Sequence, residues 1–334
     1  MSVVPELMRC IDIAAPGGPE VLRIASRPVP RPGSGEVLVR TRAAGINRAD
    51  LLQRQGHYPP PPGASPILGM ELSGTIAEVS AGTTSRWQVG DEVCALLAGG
   101  GYAEYCAVPE GQCMAAPPGV SLRDAAAIPE AAITVWANLF EPRRLFPDNL
   151  VLVQGGSSGI GVMAIQMARA FGARVATTAG TDEKCSFCLS LGAEVAVNYR
   201  TQDWAGEVAR WAHPHGVDAI LDMIGGDYFP IHIDLLATGG RLVHIATSQG
   251  SKVTADLRSI MLKRLLITGS TLRSRSVAEK SSLARGVEQE LWPLFASGHL
   301  LPVIDSAFPL EKAADAHRLI ELGTHTGKII LEMQ

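Results

Sequence analysis

The tightest constraint in this chain is the run LVLVQ–Gly155–Gly156–Ser157–Ser158–Gly159–Ile160–Gly161, which leads directly into IGVMAIQMARAFGA. Continuous apolar residues ahead of the glycines predict a strand buried on both faces, and the pattern behind them predicts an amphipathic helix. Small residues at such a turn let a pyrophosphate approach the backbone. A helix opening at Ile160 then aims unpaired N–H groups and a positive dipole end at it. The run departs from GxGxxG because Ser158 replaces one glycine; a serine fits there with a negative φ, and its hydroxyl adds a donor. Gly156, Ser158, Gly159 and Ile160 are the candidate contacts, with a ligand-free glycine turn as the alternative.

The same alternation continues downstream. ARVATTAG, EVAVNY, DAILDMIGG, GRLVHIA and LLITGS are further apolar runs, separated by helical patterns. Six such strands predict an α/β doubly wound Rossmann domain over 129–272. The choice between the two nicotinamide dinucleotides is read about 20 residues past the loop, where an acid at the second strand's tip would grip the ribose hydroxyls. Here the tip is Gly180–Thr181, with Lys184 one turn later, leaving space and charge for a 2′-phosphate. Asp182 and Glu183 read as first-turn acids that favour the helix dipole and face solvent. Tyr199, after the third strand, is a candidate adenosine-side partner or simply a strand-end aromatic. The expectation is NADPH rather than NADH.

The first ~125 residues carry short strand-like runs punctuated by Gly and Pro, as in a compact antiparallel β domain. Tyr58–Gly63 (YPPPPG) is a stiff loop, because proline fixes φ and removes donors; it is either a substrate wall beside Tyr58 or an inert linker. After Leu272, a helix and the strand GKIILEM suggest a return to this domain. With 334 residues and a net charge of −4, two domains are expected, with no electrostatic footprint for nucleic acid. The apolar stretches are too short for a bilayer span, and the first residues lack a signal-peptide layout, so no membrane partner and a cytoplasmic location are expected. Six cysteines include one CxxC, Cys185 and Cys188, inside a predicted helix with no second pair nearby; packing is the expected role, a redox pair the alternative.

The runs AGINRADLLQRQGHYPPPPGASPILGMELSG, LAGGGYAEYCAVPEG, AAAIPEAAIT, GGSSGIG, LDMIGG, LRSRS and HTGKIILE resemble the zinc-free quinone oxidoreductases of the medium-chain dehydrogenase/reductase superfamily. These include ζ-crystallin, and the likeness is strongest to their p53-inducible branch. The resemblance implies a GroES-like β-rich catalytic domain at 1–128 and 273–334 around the Rossmann domain. Where zinc-dependent relatives carry Cys and His ligands, this chain has Asn47 and Met70; the adjoining Asp50 and Glu71 make a poor zinc site, so no metal is expected.

By the same resemblance, Tyr58 borders nicotinamide and substrate, with Asn47 beside it. Thr134 contacts the cofactor from the domain junction, while Ile224, Ser270, Leu272 and Arg273 run along the nicotinamide side. Lys328 reaches the cofactor too. Blander roles stand beside these: Asn47 as a helix cap, Tyr58 packed on the prolines, Arg273 and Arg275 as surface or dimer-interface charges, His57 as a solvent-exposed ring. The activity implied is NADPH-dependent reduction of a small quinone by hydride transfer without metal. The alternatives are a 2-enoyl or alkenal reductase, or a non-catalytic crystallin-like or RNA-binding role. The implied assembly is a homodimer joined at the edge strand LLITGS.

Overall fold

The computed structural model describes residues 4–80, 85–141 and 144–333. The chain forms two compact units, Met1–Ile133 with Leu272–Gln334, and Thr134–Thr271. These boundaries, at 133/134 and 271/272, lie a few residues from the 128/129 and 272/273 expected from the sequence pattern, and the backbone N–H of Glu130 is hydrogen-bonded to Glu71 within the first unit (2.8 Å).

The second unit is a parallel six-stranded sheet. Its strands are Leu150–Val153, Arg174–Ala179, Val195–Asn198, Val217–Asp222, Leu236–His244 and Leu266–Gly269. Numbered one to six in chain order, they lie three-two-one-four-five-six. Val151, Leu152 and Val153 are fully buried, as a strand covered on both faces must be. Helices Gly159–Ala170, Asp182–Ser190, Trp204–Ala212, Tyr228–Leu235 and Leu257–Lys263 connect the strands. The order reverses between strands one and four, and in such sheets ligands bind beyond the carboxyl ends of the strands at that point.

The first unit is antiparallel at its centre. Strand Glu36–Gly45 pairs with Glu71–Val79, Tyr105–Pro109 and Lys328–Glu332, and Ile304–Pro309 runs parallel to the last of these. Glu92–Leu96 and Cys113–Ala115 extend the sheet beyond Glu71–Val79. A core of Val37, Val39, Leu72, Ile76, Trp87, Val93 and Val108 forms on one side, and Leu38, Ala44, Leu51, Leu68, Tyr102 and Leu331 belong to another. Helix Val277–Ala296 opens with a capping box. The Ser276 N–H donates to Glu279 Oε2 (2.9 Å), and the Glu279 N–H donates to Ser276 Oγ (3.2 Å).

All six cysteines are free and buried. Cys185 lies in the fourth position of helix Asp182–Ser190, and burial pushes the Cys188 thiol up to about 12, the reverse of what a reactive thiolate needs. Among the described residues, no helix is long and apolar enough to cross a membrane.

Replacing Leu152 by Ala at the centre of the parallel sheet should cost about 2–5 kcal/mol through lost transfer energy and an unfilled cavity. Urea unfolding followed by far-ultraviolet circular dichroism measures it.

Candidate cofactor and reaction sites

In the second unit, the carboxyl ends of the strands gather the loop residues singled out in the sequence. Gly155 takes φ +70°, which favours glycine. A Cβ at Gly156 would lie 2.1 Å from Thr177 Oγ1, a hydroxyl already donating to Val153 O (2.6 Å). A Cβ at Gly161 would lie 2.3 Å from the Gly155 carbonyl oxygen. The glycines therefore let the turn pack tightly against the second strand. Ser158 is the N-cap of helix Gly159–Ala170 with φ −74°. Its Oγ accepts the Gly161 N–H (3.0 Å) and faces Met223 Sδ at 3.7 Å, so the hydroxyl is committed to the cap. Gly159 and Ile160, as the first helical residues, have no intrahelical acceptor for their N–H groups. Backbone donors, a dipole end and a turn of small residues suit a dinucleotide pyrophosphate.

At the next strand tip, Gly180 is followed by Thr181, the N-cap of helix Asp182–Ser190, whose Oγ1 accepts the Lys184 N–H (3.2 Å). Asp182 and Glu183 are exposed, and Asp182 accepts from Asn198 Nδ2 (2.7 Å). Pairing of Asn198 with Ala179 sets Tyr199 and Arg200 beside the tip. A Cβ at Gly180 would meet Tyr199 Oη at 2.9 Å and Arg200 Nε at 3.5 Å. The Arg200 guanidinium lies 6.0 Å from the Tyr199 ring centre, and both residues are exposed. Arg200 is not among the residues that the sequence pattern singles out, although it directly follows Tyr199 at a strand end.

Further along the same edge, Asp222 is fully buried and accepts from the Ile224 N–H (2.8 Å), the Gly225 N–H (3.0 Å) and His244 Nδ1 (2.8 Å). Its carboxyl stays below the usual range because these donors and the nearby His232 outweigh burial. Ser270 donates its N–H to the His244 carbonyl (3.1 Å) and its hydroxyl to Asn138 Oδ1 (2.8 Å). Asn138 Nδ2 in turn donates to the Thr134 carbonyl (2.8 Å).

The first unit holds Asn47, Tyr58, Leu272, Arg273 and Lys328. Asn47 is the N-cap of helix Arg48–Arg54, and Asp50, three residues on, reaches back to accept its N–H (2.8 Å). Asn47 Nδ2 donates to Glu71 Oε1 (2.8 Å), and Lys328 Nζ donates to Asn47 Oδ1 (2.6 Å) and Glu71 Oε1 (2.5 Å). Glu71 Oε2 takes the Glu130 N–H. Gly45 makes room, since a Cβ there would lie 2.2 Å from Glu71 Oε1. A lysine ammonium thus stands between the amide and the carboxylate, and Met70 is buried in the core. Such a donor set repels a second cation and does not fit zinc. Among the described residues, no group of three or more His, Cys, Asp or Glu is arranged to hold a metal ion.

Arg273 is buried rather than on the surface. It donates to Ala98 O (2.8 Å), Tyr58 O (3.1 Å) and Gln53 Oε1 (2.6 Å), and its guanidinium lies 5.3 Å from the Tyr58 ring centre. It therefore ties the start of the proline loop, at Tyr58, to Gln53 and Ala98. Tyr58 is half-buried, which raises its phenol above the ordinary value. His57 is exposed.

Behind Asp50 runs a directed chain of hydrogen bonds. Arg54, fully buried, can only donate, so His317 Nδ1 accepts from it (3.2 Å). His317 is neutral, its pKa lowered to about 3 by burial and the arginine, so Nε2–H donates to Tyr102 Oη (3.2 Å). Tyr102 then donates to Asp50 Oδ2 (3.3 Å), and the Gly69 N–H donates to Oδ1 (3.0 Å). Burial nevertheless pushes the Asp50 carboxyl up to about 6.

Replacing Lys328 by Met strands the Glu71 carboxylate and should cost about 3–5 kcal/mol of stability. Adding Glu71→Gln should return much of that loss. Denaturant unfolding of both singles and the double gives the coupling, and losses that simply add would contradict the pairing.

Residues 33–118 match the family model "Alcohol dehydrogenase GroES-like domain", and residues 159–287 match "Zinc-binding dehydrogenase". A Homo sapiens quinone oxidoreductase is 32% identical over 336 residues, covering 99% of each chain. The crystal structure of Escherichia coli quinone oxidoreductase complexed with NADPH aligns with a TM-score of 0.87 at 28% identity, over 98% of this chain and all of that one. A crystal structure of an NAD-dependent alcohol dehydrogenase aligns with a TM-score of 0.85 at 35% identity, with the same coverage. With the glycine-lined loop, these likenesses make the chain an oxidoreductase that uses a nicotinamide cofactor on a small-molecule substrate. The fold is the GroES-like and Rossmann pair, and the chain belongs to the quinone oxidoreductase family of the medium-chain dehydrogenase/reductase superfamily.

Proposed function

We propose that the chain reduces quinones with NADPH. The observation that carries the acceptor class is the Lys328–Asn47–Glu71 network, which puts an ammonium where a Lewis acid would be needed to activate an alcohol or a plain carbonyl. Quinones are electrophilic enough to accept hydride with little activation. The nicotinamide supplies that hydride when bound; the protein supplies proximity, orientation and modest hydrogen bonding. Tyr58, on a loop stiffened by prolines and held by Arg273, serves as the acceptor wall, with Asn47 beside it. A 2-enoyl or alkenal acceptor needs a better placed proton donor and is the second reading. Parallel kinetics with 1,2-naphthoquinone and an enoyl thioester separate the two, and preference for the thioester would overturn the quinone assignment.

The cofactor choice rests on the acid-free tip at Gly180–Thr181. The Arg200 side chain and the Tyr199 hydroxyl flank it, and Lys184 lies in the first turn of the following helix. These groups suit a 2′-phosphate by charge-assisted hydrogen bonds. Gly156, Ser158, Gly159 and Ile160 hold the pyrophosphate in this reading, and Thr134, Ile224, Ser270, Leu272 and Lys328 serve the nicotinamide side. Arg273 serves it through Tyr58. Lys184→Ala and Arg200→Ala should each weaken NADPH binding by about 1–3 kcal/mol while sparing NADH. An NADPH/NADH affinity ratio unmoved by both would overturn the assignment.

The sixth strand and the helix before it leave Leu257, Met261, Leu262 and Leu266 strongly exposed, and an unpaired apolar sheet edge seeks a partner. A homodimer through this edge is the expected assembly. Sedimentation velocity should show a dimer that Leu266→Lys with Met261→Lys converts to monomer; a wild-type monomer would remove the proposal.

A further inference from the structure

Glu130 is the second residue of helix Pro129–Val135, and its backbone already serves Glu71. Its side chain differs from its neighbours in having no fixed partner. Glu71, Lys328 and Asn47 satisfy one another, whereas the Glu130 carboxyl makes no hydrogen bond or ion pair among the described residues and stays partly open to solvent. Charged and titratable groups surround it from every packed element. Glu71 and Lys328 come from two strands, Asp50 from helix Arg48–Arg54, Lys280 from helix Val277–Ala296, Tyr58 from the proline loop and Arg273 from the segment ahead of helix Val277–Ala296. Burial, and then the negative charge of Glu71, push its carboxyl up to about 8, against the pull of Lys328 and Lys280. A carboxylic acid still protonated at neutral pH is a hydrogen-bond donor and a proton source at once.

The other donors nearby are poorer candidates. Lys328 is committed to Asn47 Oδ1, Glu71 Oε1 and Ile46 O. The Tyr58 phenol is made a weaker acid by burial. Arg273 is held by bonds to Ala98 O, Tyr58 O and Gln53 Oε1 and, as a guanidinium, does not give up a proton.

We propose that Glu130 is the acid that protonates the reduced acceptor. This rests on the quinone reductase reading above. Hydride from the dihydronicotinamide brings two electrons and one hydrogen to the quinone, leaving a hydroquinone monoanion and oxidised cofactor. The Glu130 O–H bond then breaks as the hydroquinone's second O–H bond forms, and the Glu130 carboxylate recovers its proton from water. No further oxidant or reductant is required.

Two measurements on the full chain test the assignment. Infrared titration of the cofactor-free protein should show a protonated carboxyl band that disappears as pH rises through about 8 and is missing from Glu130→Gln. Reduction of 1,2-naphthoquinone by NADPH should have an alkaline limb in kcat/KM near the same pH, because the donor exists only below it. Glu130→Gln should lower the rate by about 100-fold and flatten that limb, with NADPH affinity unchanged, the usual scale for losing a general acid. Glu130→Asp should keep the limb at a reduced rate. A carboxyl band that still disappears near pH 8 in Glu130→Gln, as distinct from the Asp50 carboxyl that titrates near 6, overturns the proposal. So does a Glu130→Gln enzyme with wild-type rate and pH profile. A wild-type chain that oxidises no NADPH with the quinone overturns the reductase reading and this proposal with it, which distinguishes the two failures.

Discussion

The ammonium of Lys328, shared between the Asn47 amide and the Glu71 carboxylate, fixes the chemistry of the first unit. All three groups lie at the ends of different segments, so the sheet must close correctly before the charge can be neutralised. A buried carboxylate without its cation is severely destabilising, and a buried cation without its carboxylate equally so. The network therefore acts as a check on strand pairing as well as a setting for the site.

Around that core, the two units divide the work by chemistry. The parallel sheet offers backbone: bare glycines, an open helix end and a row of loop residues at the carboxyl edge of its strands. The β-rich unit offers side chains with restricted freedom. Its proline loop is held by Arg273, and its amide and carboxylates are pinned by Lys328 and Asp50. Holding polar groups rigidly before a ligand arrives lowers the reorganisation that accompanies charge development.

The parallel sheet, its glycine turn and the acid-free tip at Gly180 were legible because each is a local pattern: a run of apolar residues, a cluster of small ones, a missing carboxylate. Ser158 was readable as a tolerated departure, though its hydroxyl turned inward to cap the helix. What escaped depends on distant pairings. Arg200 gains its meaning from the register of Asn198 against Ala179. Lys328 meets Glu71 across 257 positions, and Arg54 meets His317 across 263. Local periodicity carries no trace of such encounters. Arg273 carried two readings, along the nicotinamide side or as a surface charge, and its three hydrogen bonds to Gln53, Tyr58 and Ala98 could not be foreseen in either.

The chain of donors from Arg54 through His317 and Tyr102 to Asp50 points in one direction only. Arginine does not release its proton in a protein, so neither the histidine tautomer nor the phenol orientation can reverse. A line of hydrogen bonds that cannot flip does not conduct protons; it insulates. Asp50 is therefore held by this chain without being joined through it to the protein surface beyond Arg54.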